Sequence, residues 1–124
     1  MKSKRSKKGN PILSALRIQR MAQKVGFDWK EEEEIFDKIQ EEIEELKSAL
    51  KKRKRDEVTE EFGDLFFSLL NLARRIGVNP EYALKLANEK FLKRFRRMRK
   101  VVGKKAGLRE MDKVWEKIKK RRFP

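Results

Sequence analysis

The sequence predicts an all-α fold, a bundle of four to five helices in one domain. Charged residues make up 44% of the chain and hydrophobic residues 38%, and the abundant Lys, Glu, Arg and Leu lose little rotamer freedom in a helix. Only six Gly and three Pro interrupt 124 residues, and apolar residues recur at spacings of three and four. A chain of this length buries a single core of modest size.

The first helix is predicted in the segment PILSALRIQRMAQKV, where Ile12 and Leu16 have helical spacing. Gly26 is expected to end it. Residues 1–10, before this helix, are expected to form a basic flexible tail, and residues 11–124 to form the domain.

The second helix is predicted to run from the turn GFDW to about Leu50. Asp28 in this turn is expected to cap the helix, with Glu31 three residues on as its reciprocal partner in a capping box. The apolar stripe of this helix comprises Ile35, Ile39, Ile43, Leu46 and Leu50.

The third helix follows the charged connection KKRKRDE and ends at Gly77. Its apolar surface is so wide that we expect most of its faces to be covered, which makes it the central helix. That surface consists of Val58, Phe62, Leu65, Phe66, Phe67, Leu69, Leu70, Leu72 and Ile76.

Two further helices complete the predicted bundle. The fourth runs from Pro80, with Asn79 as its cap, to about Val102. The fifth is short and follows GKKAGLRE; it places four apolar residues on one face: Met111, Val114, Trp115 and Ile118.

Composition excludes several kinds of chemistry. The chain has no Cys and no His, which removes disulfides, Cys/His zinc sites, thiol nucleophiles and Ser-His-Asp triads. Catalysis must therefore use carboxylates, hydroxyls, Lys, Arg or a metal held by carboxylates. No apolar run is long enough to span a bilayer, and MKSKRSKKGN has no apolar region behind it, so we expect a soluble cytoplasmic protein without a membrane partner.

Charge is distributed unevenly along this chain, whose formal net charge is +15. Residues 31–64 hold seven basic and fourteen acidic residues, whereas residues 1–30 hold nine and one, and residues 90–124 hold sixteen and three. An acidic segment between two basic segments suits a site that binds a cation together with a polyanion.

Two pairs of carboxylates are the strongest sign of chemistry. Glu42 and Glu45 are three residues apart beside the apolar stripe of the second helix, and Glu61 and Asp64 repeat this arrangement on the third. If these helices are antiparallel neighbours, the two pairs converge. Clustered carboxylates stay ionised only beside cations, and Mg²⁺ or Mn²⁺ suits oxygen ligands.

A structural alternative stays open for each of these features. Glu-rich helices are common, and the acidic pairs also fit solvated helix faces. Gly63 costs about 1 kcal/mol relative to Ala inside a helix, which favours a close approach of another helix there. Lys90 and Arg94, four residues apart, suit either phosphate oxygens or a surface basic patch.

Five motifs in order resemble one known family. Glu41, Glu42 and Glu45 match a pattern of two Glu, two spacers and a Glu, which Glu61 and Asp64 follow as Glu, two spacers and Asp. Around them stand KVGFDW, EEFGDLFFSLLNLAR, ANEKFLKRFR and MDKVWEKIK. Over most of its length the chain resembles the MazG-type nucleoside triphosphate pyrophosphohydrolases of the all-α NTP pyrophosphatase superfamily.

The resemblance implies a metal site between antiparallel second and third helices. The ion would be Mg²⁺, with Mn²⁺ as the alternative. Its ligands would be Glu42, Glu45, Glu61 and Asp64. Glu41 would be a neighbouring carboxylate that supports the ligands or activates water.

The resemblance also implies residues that hold the nucleotide. Asn88, Lys90 and Arg94 would bind the triphosphate, and Asn71 is a further candidate for the nucleotide. Three aromatic residues would stack on or enclose the base, with core anchoring as an equal alternative for each: Phe27, Trp29 and Trp115.

The implied reaction is hydrolysis of an NTP or dNTP between the α and β phosphates, giving the monophosphate and pyrophosphate in nucleotide-pool housekeeping. Metal ions and positioning suffice for this reaction without His or Cys. The family also implies a homodimer or a higher homo-oligomer. Many relatives carry two copies of the domain; this chain has one, resembling the C-terminal copy, and is either a stand-alone enzyme or a piece of a longer one.

The alternative function is a basic helical nucleic-acid-binding protein without catalysis. Its support is the net charge and the basic ends KSKRSKK and KKRRFP, which suit phosphate backbones. The acidic middle has no use in such a protein, and no helix has the pattern of a recognition helix. A helical interaction scaffold would leave the paired acids unexplained, so the enzyme is favoured.

Overall fold

The computed structural model describes residues 9–120, which form five helices and no strand, so the all-α prediction is confirmed. The basic residues 1–8 and 121–124 lie outside this part of the chain, and the nucleic-acid alternative that depends on them stays a prediction. The helices are α1 (Pro11–Lys24), α2 (Glu32–Lys52), α3 (Arg55–Ile76), α4 (Pro80–Val101) and α5 (Leu108–Lys120).

The described residues divide into two compact units, one that ends at Pro80 and one that begins at Glu81. The first contains α1, α2 and α3, and in it α3 packs against both other helices. The prediction that the third helix is central is therefore confirmed for this unit. The second unit contains α4 from its second residue onward, together with α5.

Helix α1 begins and ends as the sequence predicts. The Asn10 side chain accepts a hydrogen bond from the backbone N–H of Ile12 at 2.8 Å. Pro11 lies in the first turn, where a backbone N–H would have no partner within the helix, so the missing N–H of proline costs nothing. After the helix, Gly26 adopts a positive φ of 86°, which glycine tolerates without strain. Ala15 and Leu16 pack against Leu70 of α3 in a small buried cluster.

Helix α2 begins one turn later than the predicted cap. Its N-cap is Glu31, whose backbone N–H donates to Glu34 Oε1 at 3.0 Å in a capping box. The predicted box of Asp28 with Glu31 is therefore wrong. The physical reason is that Arg74 of α3 occupies the Asp28 carboxylate, with Nη2 and Oδ1 2.8 Å apart.

Helices α2 and α3 form a hairpin around the two-residue connection of Arg53 and Lys54. Arg53 closes α2 in the left-handed region at φ 57°. The two helices pack closely along each other, and Ile35 and Ala49 of α2 are buried there, with Ile35 fully enclosed. The predicted neighbouring arrangement of the second and third helices is confirmed, and it places the acidic pairs on adjacent elements.

The outer surface of α3 is open in the single chain, contrary to the prediction that most of its faces are covered. Phe62 is 59% exposed, and Phe66 and Leu69 are also exposed. The prediction of a close helix approach at Gly63 is not met within residues 9–120, because a Cβ built there meets no atom of this part of the chain within 4 Å.

The second unit has its own apolar cluster. Its buried residues are Met98 of α4, Val102, which directly follows α4, and Ile118 of α5. Four partly buried residues pack on them: Ala106, Met111, Val114 and Trp115. The predicted apolar face of the fifth helix is therefore confirmed, although the helix begins earlier, at Leu108. Within residues 9–120, none of the helices combines the length and apolar character needed to cross a bilayer.

Candidate metal centre

Three of the predicted carboxylates converge between α2 and α3. Glu42 and Glu45 project from α2, three residues apart, and Glu61 projects from α3. Each contributes one oxygen to a group in which all of these oxygens lie within 4.8 Å of one another. We call these three residues the carboxylate cluster.

The cluster is short of hydrogen-bond donors. Glu42 is only 4% exposed, and its Oε1 atom is buried without a partner among the described residues. The Oε1 atom of Glu61 is in the same situation. Leaving a buried charged oxygen unsatisfied is costly, so this arrangement suits carboxylates that bind something further.

The electrostatics of the cluster favour a shared proton or a cation. Burial, the negative charges of Glu45 and Glu42, a hydrogen bond with Glu45 and the charge of Asp64 together raise the pKa of Glu61 to about 7. A divalent cation would reverse this effect, because it stabilises the ionised carboxylate.

Lys38 lies beside the cluster, one turn before it on α2. Its Nζ atom is 3.0 Å from Glu41 Oε1 and 3.1 Å from Glu42 Oε2. Hydrogen bonds with these two carboxylates raise the pKa of Lys38, so it stays charged. Lys38 was not among the residues predicted for the site, although its spacing of three and four from these acids is the pattern of a helical ion pair.

The remaining predicted acidic residues are placed differently. Asp64 is exposed and is not among the three converging carboxylates, although its charge still acts on Glu61. Glu41 is 57% exposed at its side chain and is paired with Lys38. Both roles, ligand for Asp64 and water activation for Glu41, stay predictions.

A pocket of about 440 Å³ opens in the same unit, between α1, α3 and the turn GFDW. This volume lies in the range of small-molecule sites. The structure brings three residues singled out from the sequence, Phe27, Trp29 and Asn71, together there with residues that the sequence did not indicate. The full lining is Ile18, Gln19, Ala22, Phe27, Asp28, Trp29, Phe67, Asn71 and Arg74.

Arg74 fixes the polar side of this pocket. Its guanidinium donates to Asp28 Oδ1 at 2.8 Å and to Asn71 Oδ1 at 2.7 Å. Burial acts to raise the pKa of Asp28, but the Arg74 hydrogen bond and its charge outweigh this and lower it. Arg75 donates to the backbone carbonyls of Trp29 and Lys30, which ties the turn to α3.

The other predicted nucleotide-binding residues belong to the second unit. Asn88 and Lys90 are exposed on α4, and Arg94, one turn after Lys90, is half-buried. Trp115 packs on Phe91, with ring centroids 5.0 Å apart, in agreement with the core-anchor alternative. Their participation in the same site as the carboxylate cluster stays a prediction.

Comparison with known proteins identifies relatives over most of the chain. The family model described as "Phosphoribosyl-ATP pyrophosphohydrolase" matches residues 15–90. The chain is 44% identical over 128 residues to a Thermotoga maritima protein named nucleoside triphosphate pyrophosphohydrolase/pyrophosphatase MazG, a match covering 95% of this chain and 49% of the relative. It is 37% identical over 117 residues to the nucleoside triphosphate pyrophosphohydrolase of Escherichia coli K12, covering 88% and 44%.

The chain thus spans about half the length of the curated relatives it matches. The family model alone covers more than half of the chain. This chain therefore belongs to the phosphoribosyl-ATP pyrophosphohydrolase family, and the MazG-type resemblance predicted from its motifs is confirmed.

Proposed function

We propose that this chain hydrolyses nucleoside triphosphates, NTPs or dNTPs, between the α and β phosphates and releases the monophosphate and pyrophosphate. It would act in the cytoplasm in nucleotide-pool housekeeping. The observation that carries the proposal is the carboxylate cluster, in which two buried oxygens have no donor among residues 9–120, in a chain related to proteins named for this activity.

The residues of the cluster fit Mg²⁺, with Mn²⁺ as a substitute. Hard divalent ions take carboxylate oxygens as ligands, and the unpartnered Oε1 atoms of Glu42 and Glu61 are such oxygens. We propose Glu42, Glu45 and Glu61 as ligands, with Asp64 as a fourth. When bound, the ion would supply charge neutralisation for the phosphates and Lewis acidity that activates water.

The chain's own residues would perform the remaining tasks. Lys90 would bind phosphate oxygens through its compact ammonium charge. Arg94 would bind them through its planar guanidinium, which can donate two hydrogen bonds at once, and Asn88 would lie beside them. Glu41 would accept the proton of the attacking water, and Lys38 would hold Glu41 and Glu42 in place through its two ion pairs. Neither His nor Cys is needed in this scheme.

The reaction balances with water as the only co-substrate. A water oxygen bonds to the α phosphorus while the bond between this phosphorus and the bridging oxygen to the β phosphate breaks. Pyrophosphate leaves with the electron pair of that bond. The proton of the attacking water passes to a carboxylate and then to solvent.

A product assay with matched variants tests the proposal. We expect the wild type to release pyrophosphate, not orthophosphate, from NTPs only when Mg²⁺ is present. Glu42→Gln should reduce the rate at least about 100-fold, because it removes an ionised ligand. Glu44→Gln on the same helix is the control, since the Glu44 side chain is 63% exposed and its ion pair with Lys47 is also exposed, and it should leave the rate unchanged. Equal activity in both variants would refute the site.

We further propose that two copies associate through α3, as a homodimer or part of a higher oligomer. Phe62, Phe66, Leu69 and Ile76 have helical spacing and all are exposed in the single chain. An apolar stripe of this length on a monomer is typical of a protein interface. An interface between two copies of this chain would bury the stripe, and no other protein would be needed to cover it.

A further inference from the structure

We propose that an exposed face of α4 binds the phosphate backbone of duplex DNA without reading its sequence. Four residues form this surface, which we call the α4 basic patch: Lys93, Arg96, Arg97 and Lys100. The inference goes beyond the proposed hydrolysis and does not depend on it, because none of the four is assigned to the metal or to the triphosphate.

The patch lies on the side of α4 that faces away from the apolar cluster of the second unit. Met98 is buried in that cluster, and Phe91 packs on Trp115 of α5. At about 100° of rotation per residue, Phe91, Phe95 and Met98 share one side of the helix, and the centre of the patch lies about half a turn around the axis from them. All four patch residues are exposed, so packing against α5 does not cover them.

The charge of the patch is not neutralised by neighbouring side chains. Within residues 9–120, none of the four forms an ion pair with a carboxylate. The sequence from Lys90 to Arg109 contains ten basic residues and no acidic residue. Like charges three or four residues apart on a helix repel each other, and these spacings occur four times within the patch. An anion bound along the patch would relieve this repulsion.

A groove of about 420 Å³ opens on the patch. Its lining consists of Glu89, Leu92, Lys93, Arg96, Arg97 and Lys100, so four cations face one carboxylate, which lies at one end. Lys93 and Lys100 are about 10 Å apart along the helix axis. Duplex DNA carries one negative charge per roughly 1.7 Å of its own axis, so several phosphates lie within reach of a surface of this length.

The composition of the groove favours a duplex over a single strand or a membrane. Single-stranded nucleic acid is bound by stacking its bases on aromatic rings, but Phe91 and Phe95, the aromatic residues between Glu89 and Lys100, lie on the opposite side of α4. Among the described residues that line the groove, only Leu92 is apolar, which is too little for a helix that inserts into a membrane surface. A duplex exposes phosphates and keeps its bases stacked inside, so cations alone suffice to bind it.

Three residues of the patch are separate from those proposed for the triphosphate. Arg97 lies seven residues after Lys90, which places both on one side of the helix. The other three patch residues are centred roughly 100° around the axis from the centre of Lys90 and Arg94. Lys93, Arg96 and Lys100 can therefore be changed while the side chains assigned to the phosphates stay as they are.

Neutralising these three residues together tests the proposal. Fluorescence anisotropy of a labelled duplex DNA in EDTA measures the affinity of the full chain at several salt concentrations. Lys93→Gln/Arg96→Gln/Lys100→Gln should weaken binding at least about tenfold near 0.1 M salt. It should also reduce the slope of log affinity against log salt concentration by about 3, because about one unit is lost with each phosphate contact. Gln favours helix at exposed positions, and circular dichroism checks that the fold is kept.

A triple variant on α2 is the matched control. Lys47→Gln/Lys51→Gln/Lys52→Gln removes the same number of positive charges from exposed positions of the first unit. Its affinity should stay within about threefold of the wild type, and its salt slope within about 1, because these residues touch no phosphate. The basic residues 1–8 and 121–124 are present in both variants, so they contribute equally to both measurements.

Each outcome has a definite reading. A loss of DNA binding confined to the α4 variant, with pyrophosphate release from NTPs unchanged, supports the surface. Equal losses in the two triple variants would assign the binding to net charge and overturn the inference, and a loss of pyrophosphate release in the α4 variant would overturn it by placing the patch in the substrate site. No binding by the wild type, or tighter binding to single-stranded DNA or anionic phospholipid vesicles than to the duplex, also overturns it. The DNA measurements contain no metal or nucleotide, so they decide this inference whether or not the chain hydrolyses NTPs.

Discussion

At the residue scale, the carboxylate cluster is governed by the ionisation of Glu61. Burial and neighbouring charges raise its pKa from an ordinary 4.5 to about 7 in the folded protein. Between these two values the folded chain therefore binds more protons at this group than the unfolded chain does. Below the unfolded pKa, the ionisation of Glu61 does not change the free energy of unfolding. As the pH rises from there to about 7, it lowers the free energy of unfolding progressively.

This linkage predicts a pH-dependent loss of stability. In EDTA, the wild type should have a lower Tm at pH 8 than at pH 5, and Glu61→Gln should reduce that difference because an amide does not ionise. Thermal unfolding followed by circular dichroism measures both proteins. Mg²⁺ added at pH 8 should raise the wild-type Tm, since a ligand of the folded state stabilises it. The same pH dependence in both proteins would contradict the assignment.

The sequence predicted the convergence of the three carboxylates better than it predicted their surroundings. Glu42, Glu45 and Glu61 were predictable because a spacing of three and the hairpin of two helices are local properties. The exposure of Asp64 was not, since it depends on the rotation of α3 against α2. The hydrogen bond from the Gln19 side chain to the backbone carbonyl of Phe67 was also not predictable, because the two residues are 48 positions apart.

At the scale of elements, the turn GFDW is attached to α3 by charge. The side chains of Arg74 and Asp28 are 6% and 18% exposed and lie 2.8 Å apart, and Arg75 adds hydrogen bonds to the backbone of the turn. A charge-assisted pair with little solvent contact fixes the turn that forms one wall of the pocket. Sequence periodicity identified the turn but assigned Asp28 to a cap, because capping patterns are local and this ion pair is not.

Removing the Asp28 carboxylate should destabilise the first unit. Asp28→Ala leaves the buried Arg74 guanidinium without its carboxylate partner, and we expect a loss of about 1–3 kcal/mol in the free energy of unfolding. Urea unfolding measures this loss. Lys47→Ala is the control, because its pair with Glu44 is exposed on both sides and should contribute less than about 1 kcal/mol. Equal losses in the two variants would show that the turn is not held by this pair.

At the scale of the whole molecule, the apolar stripe of α3 points to a second copy. Phe66 lies in the middle of the stripe and is 41% exposed in the single chain. Phe66→Glu places a charge where the interface would be dry, so it should convert a dimer into a monomer in analytical ultracentrifugation. Leu108→Glu, at a position 71% exposed on α5 and outside the stripe, should leave the mass unchanged. A monomeric wild type would contradict the association.

The all-helical architecture was predictable from composition and periodicity, because the spacing of three and four between apolar residues can be read directly from the sequence. What the sequence could not give was the coverage of α3. The apolar residues there are too many for a hairpin and one further helix to bury, and neither propensity nor spacing specifies what covers them.

The proposed hydrolysis depends most on the ability of the carboxylate cluster to hold a divalent ion. Electron paramagnetic resonance of Mn²⁺ measures this directly, because the signal of the free ion decreases when the ion binds. We predict that the wild type and Glu44→Gln reduce this signal equally at pH 8, whereas Glu42→Gln binds at least about tenfold more weakly. Undiminished Mn²⁺ binding by Glu42→Gln, or no binding by the wild type even with a nucleotide present, would contradict the account.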